Sequence, residues 1–134
     1  MVSINIEYQG DLHCVATHGP SGAVLDTDAP ADNMGKGEAF SPTDLVATAL
    51  GTCILTTMAI KAQSMGIDLT GATVSVDKEM SSSPRRIGRL VTSLAIPHQI
   101  GERERKVLEA TAHACPVHKS ISPDVDMPIS FTWG

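Results

Sequence analysis

Apolar and polar residues alternate across residues 2–8, VSINIEY, with the period of a half-buried strand. Gly10-Asp11 marks a turn, residues 12–17 (LHCVAT) predict a second strand, and residues 22–27 a third. The segment DAPADNMGKGEAF, rich in Gly, Pro, Asp and Asn, reads as a loop. Beyond it the pattern changes period. Leu45, Ala49, Cys53 and Ile60 fall near one helical stripe, and Val46, Leu50, Ile54 and Met58 widen it, which predicts a helix buried over most of its surface. Both ends of this helix are marked. Ser41 suits the N-cap, Pro42 the first helical position and Asp44 the acid of a capping box, while Gly66 supplies the stop, so the helix should cover 42–65.

The second half repeats the alternation in residues 72–80 and 87–96, two strands joined by SSSPRRIG. ERERKVLEATAHAC, residues 102–115, predicts an amphipathic helix with a charged first half, closed by Pro116 because proline cannot continue the ladder. A last strand is expected at about 125–132. Three strands, a long helix, a hairpin, a helix and a strand make a single α+β domain over residues 1–134. A long helix that is apolar on nearly every face needs more cover than so few elements supply, which points to a core shared in a homodimer.

Composition narrows the classes. Hydrophobic residues are 42% of the 134 but aromatics are 3%, so the core must come from Val, Ile, Leu, Ala and Met. Scarce aromatics leave no stacking platform for single-stranded nucleic acid, and a net charge of −5 argues against a phosphate-backbone binder. No nucleic-acid partner is expected. The N-terminus lacks a basic segment followed by an apolar run, so no signal peptide is visible. The stretch from Leu45 to Ile60, sixteen residues with four threonines, is too short and too polar for a bilayer span, and no membrane partner is expected. Three cysteines, an odd count, suit a reducing compartment, and a cytoplasmic location is the expectation.

The cysteines are the candidate chemistry. Cys53 in mid-helix is either a small buried hydrophobe or a reactive thiol. The helix dipole gives it little help, since it lies about 16 Å from the helix start at a rise of about 1.5 Å per residue. A nearby cation would have to come from elsewhere, and Arg85, Arg86 and Arg89 around the hairpin turn are candidates. Cys115 lies among His113, His118 and Lys119 in HACPVHKS, which is either a helix stop with its loop or a thiol with imidazole neighbours. His113, Cys115 and His118, like His13, Cys14 and His18, are zinc-type ligands, but neither spacing is an established zinc pattern, and no metal is expected. Cys14, in a predicted strand beside His13, reads as structural. No phosphate-binding loop, dinucleotide fingerprint or nucleophile elbow is present.

Two segments together resemble a known family. SPTDLVATALGTC is similar to the central helix of the OsmC/Ohr family, with a proline at the helix start and a cysteine eleven residues on. LEATAHACPVHKSI resembles that family's second cysteine motif, a helix ending in Cys-Pro. The strand order fits too, so the resemblance spans nearly the whole chain. It implies an OsmC-like fold of antiparallel sheets around two central helices in an intertwined homodimer. It also implies thiol-dependent reduction of organic hydroperoxides without metal or organic cofactor. Cys53 would be the peroxidatic thiol, Cys115 the resolving one, and a dithiol the reductant. Thr43 stands where typical peroxidases of the family carry Glu, and the chain has no Arg before Arg85. An alternative reading therefore stays open: a non-catalytic dimer that binds a small apolar or electrophilic ligand near Cys53.

Overall fold

The computed structural model describes all 134 residues. The chain packs as two compact units, Met1–Val46 and Ala47–Gly134.

In the first unit, β1 (Ile4–Gly10), β2 (His13–His18) and β3 (Val24–Asp28) form an antiparallel sheet in chain order. The predicted turn lies between β1 and β2, where Gly10, Asp11 and Leu12 adopt φ of 87°, 53° and 60°. Glycine takes such angles without strain and aspartate tolerates them. The register pairs Ile4 with His18, Ile6 with Ala16 and Tyr8 with Cys14, so these six side chains share one face. That face is the one the alternation marks as inward, yet Ile4, Ile6 and Tyr8 are exposed. Within the predicted loop, Ala31–Asn33 makes one 3₁₀ turn.

Helix α1 (Pro42–Ser64) begins at the end of this unit. Its predicted cap forms in full: Ser41 Oγ accepts the Asp44 N–H at 3.1 Å, and the Asp44 carboxylate accepts the Ser41 N–H at 2.9 Å. Gly66 at φ 73° ends it, with the Ile67 N–H donating to Ala62 O at 2.8 Å. At 23 residues and a mean hydropathy of 1.6 over 18 of them, α1 is long and apolar enough to cross a bilayer, a test that the core helix of a soluble protein also passes. The apolar run seen in the sequence is shorter because polar residues at both ends continue the helix.

In the second unit, β4 (Thr73–Ser81) pairs antiparallel with β5 (Arg86–Ile96), and β6 (Ile129–Trp133) pairs parallel with β5. This last pairing departs from an all-antiparallel arrangement, because the helical connection after β5 crosses over and returns the chain in the same direction. That connection holds α2 (Glu102–Ala112) and α3 (Pro116–Ser120). The predicted single helix to residue 115 is therefore corrected to two. Pro116, expected to close a helix, occupies the first turn of the next, where its missing N–H costs nothing.

The core of the unit is apolar and aliphatic. Leu50, Ile54 and Met58 of α1 are fully buried, as are Leu90 of β5 and Leu108 of α2, with Leu94 and Ile96 almost so. Each such side chain contributes about 1.5–3 kcal/mol by leaving water. The buried stripe of α1 is Ala47, Leu50, Gly51, Ile54, Met58 and Ala62. Within one chain the other predicted stripe is left uncovered: Ala49 and Ile60 are exposed, and Leu45 and Cys53 are half-buried. One apolar stripe suffices to dock a helix on a sheet, and this chain has no second layer for the opposite face. On the other side of the core, Trp133 Nε1 donates to Glu109 at 3.2 Å, stacks on Phe131 at 6.0 Å, and carries the Arg105 guanidinium 5.7 Å from its ring.

Gly51 sets how closely α1 approaches the sheet. A Cβ there would lie 2.9 Å from Val76 Cγ2 and 3.6 Å from Val74 Cγ1. Gly51→Ala gains about 1 kcal/mol of helix preference but forces a β-branched neighbour to move, at about 1–3 kcal/mol. We expect the substitution to lower the denaturation midpoint in urea, whereas helix preference acting alone would raise it.

Candidate active site

The site assembles where α1 meets the start of α3. Cys53 lies one turn beyond Ala49 on the flank of the buried stripe and stays half-buried. Its sulfur lies 3.9 Å from Thr57 Oγ1. Cys115 is fully buried, at 0% exposure. It caps α3, and its Sγ accepts the His118 N–H at 3.3 Å. The two thiols are close enough for Cys53 to influence Cys115. The fold thus brings together the two cysteines that the sequence singles out, although 62 positions separate them (115 − 53).

Their surroundings differ. Burial pushes the Cys115 thiol up from the ordinary range, outweighing the His118 N–H that pulls it down, and the neighbouring Cys53 pushes it up further. Cys115 therefore keeps its proton at neutral pH. The His118 ring is held below the ordinary histidine range by burial and then by His113 and Lys119, so it is neutral there. His113 and His118 meet edge to face at 6.1 Å and line an open groove of about 520 Å³ with Pro123, Asp124, Val125, Asp126 and Met127.

The other candidates are engaged elsewhere. Arg89 bridges Asp126 and Glu79, each at 3.0 Å, tying β4 and β5 to the segment before β6. Arg86 donates to Ile87 O at 2.9 Å. Asp44 belongs to the cap, and the Thr43 hydroxyl lies 3.2 Å from Ser41 Oγ. His18 Nδ1 is 2.6 Å from Ser21 Oγ, and no group of three or more His, Cys, Asp or Glu side chains converges to hold a metal. Cys14 is half-buried and free, on the face of β2 opposite to His13.

Three features escape the sequence reading. Thr57 counts there only as a polar residue in an apolar run, although its spacing of four from Cys53 is a visible signal. The His118 N–H has no signal, since a backbone donor leaves none in residue identity. The pairing of His13 with Asp28 depends on the β2–β3 register. His13 Nδ1 lies 2.6 Å from Asp28 Oδ1 and its Nε2 3.7 Å from Asp26, while Asp28 also accepts the Glu38 N–H at 3.1 Å.

A family model, described as OsmC-like protein, matches residues 35–130, and the chain belongs to this family. The fold is correspondingly similar to crystal structures of its members. One, from Psychrobacter arcticus 273-4 and named for the osmotic stress induced and detoxification response, is 44% identical with a TM-score of 0.94, covering 98% of this chain and 96% of that one. An organic hydroperoxide resistance protein OsmC from Legionella pneumophila shares 20% identity at a TM-score of 0.75, over 98% and 96% of the two chains. An OsmC like protein from Mycoplasma pneumoniae shares 17% at 0.83, over 99% and 96%. No match was found among curated protein sequences.

The His13–Asp28 pair predicts a pH dependence of stability. Its hydrogen bond to Asp28 raises His13 above 6.5, so its stabilisation is complete below 6.5 and lost as pH rises through the raised value. The same bond lowers Asp28 below 3.8, so its contribution is present above 3.8 and lost as pH falls through the lowered value. We expect the melting temperature to fall as pH rises from 6.5 through the raised His13 value, and the slope to flatten in Asp28→Asn.

Proposed function

We propose that this protein reduces organic hydroperoxides through a two-cysteine cycle, with Cys53 peroxidatic and Cys115 resolving. The observation that carries this reading is the proximity of the two thiols, one half-buried and one fully buried. A peroxide can reach the first and not the second. The Cys53 thiolate attacks the distal peroxide oxygen, the O–O bond breaks, and a proton goes to the departing alkoxide. The products are Cys53 sulfenic acid and the alcohol. The Cys115 thiol, already alongside, displaces hydroxide from that sulfur, and its proton leaves with it as water. The resulting disulfide is opened by a dithiol, which is itself oxidised.

Family membership supports the reading, as do relatives named for organic hydroperoxide resistance. The half-exposed flank of α1 and the uncovered Ile4, Ile6 and Tyr8 support a homodimer, in which a second copy would bury them and enclose Cys53 in apolar surroundings. Such surroundings suit an organic hydroperoxide better than hydrogen peroxide. The cysteines and the reducing environment they need agree with a cytoplasmic location. A second reading, a dimer that binds an electrophilic ligand at Cys53 without turnover, is favoured by Thr43 in place of the acid typical of the family's peroxidases.

Thiol titration after cumene hydroperoxide separates the two. We expect wild type to lose two thiols, Cys53→Ser to lose neither at these positions, and Cys115→Ser to stop at a trappable sulfenic acid. Peroxide consumption by Cys53→Ser as fast as wild type would overturn the assignment.

A further inference from the structure

The threonines of α1 do not all do the same thing. Thr52 Oγ1 donates to the carbonyls of Thr48 at 2.8 Å and Ala49 at 3.3 Å, the usual way a helical threonine satisfies itself. Thr111 of α2 does likewise, to Val107 O at 2.8 Å. Thr57 differs: its Oγ1 lies 3.9 Å from the sulfur of Cys53, one helical turn earlier. Residues four apart share a face, so this contact follows from the helix itself and persists as long as α1 is wound.

A hydroxyl is a modest partner for a neutral thiol, which accepts hydrogen bonds weakly. For a thiolate it is a better one, because a bond to an ionised acceptor is about twice as strong. Arg89, one cation that could serve instead, is committed to Asp126 and Glu79.

We propose that Thr57 is a positioning residue for Cys53, its hydroxyl donating to the thiolate and aiming the sulfur's remaining lone pairs at the peroxide. This rests on the peroxidatic assignment of Cys53 for its use in turnover, but not for the hydrogen bond itself. In this protein a neutral donor on the same helix supplies part of what a charged partner would otherwise provide.

The test is the pH profile of Cys53 alkylation by iodoacetamide, followed peptide by peptide in the full-length protein, so that it does not depend on peroxide turnover. In Thr57→Val, which keeps the shape and loses the hydroxyl, we expect the rate at pH 7 to fall roughly 5-fold, the size of one such bond. The profile should move to higher pH and reach the wild-type plateau. Thr57→Ser, which keeps the donor, should stay within about 2-fold of wild type. Thr57→Ala removes the same hydroxyl without the β-branch and should repeat the shift, which covers a valine variant that folds poorly. Superimposed profiles for wild type, Val and Ala would overturn the proposal, as would a Ser variant as slow as Val. A shifted profile in a protein that does not consume cumene hydroperoxide would leave the Thr57 bond standing and remove the peroxidase reading. Turnover with superimposed profiles would do the reverse.

Discussion

The close approach of α1 to β4 at Gly51 is the constraint on which the second unit depends. With no side chain at that position, the helix settles against Val74 and Val76, and Leu50, Ile54 and Met58 reach full burial. That contact fixes the rotation of α1 about its own axis. Two residues on, Cys53 consequently lies on the flank of the buried stripe, neither in the core nor free in solvent. A helix turned by one residue, about 100°, would carry the thiol away from Cys115.

The chemistry around the sulfurs is built mainly from neutral donors. The His118 N–H serves Cys115, the Thr57 hydroxyl faces Cys53, and the thiols face each other. Charged side chains are spent on architecture instead: Asp44 starts α1, Arg89 ties a loop to the sheet, and Asp28 with His13 anchors the loop through the Glu38 N–H. In the proposed cycle, reactivity would rest on geometry more than on strong Coulombic activation.

Much of this was legible in the residues, for reasons that can be named. Ser41, Pro42, Asp44 and Gly66 act within a few residues of themselves, so the bounds of α1 could be read to within a residue. Strand alternation located five of the six strands within about two residues. The two cysteine motifs supplied the two thiols that the fold brings near each other. What failed was whatever depends on partners distant in sequence. Periodicity could not choose between the two apolar stripes of α1, since a helix apolar all round has no preferred face until a sheet arrives. Pro116 fits either side of a helix boundary, and here it follows Cys115, whose sulfur accepts the His118 N–H as the cap of α3. The parallel pairing of β6 reflects a crossover that no local pattern encodes.

Trp133 has a use that comes from its solitude. It is the only tryptophan in the chain, and its indole is held against Glu109, Phe131 and Arg105, all in the second unit. Emission excited at the red edge of the spectrum therefore comes from one known address. Intrinsic fluorescence reports on the packing of α2 against β6 and is blind to the first sheet, whose own aromatic, Tyr8, absorbs further to the blue. The protein carries two optical channels, one for each unit, and the order in which the units lose structure can be followed without any label.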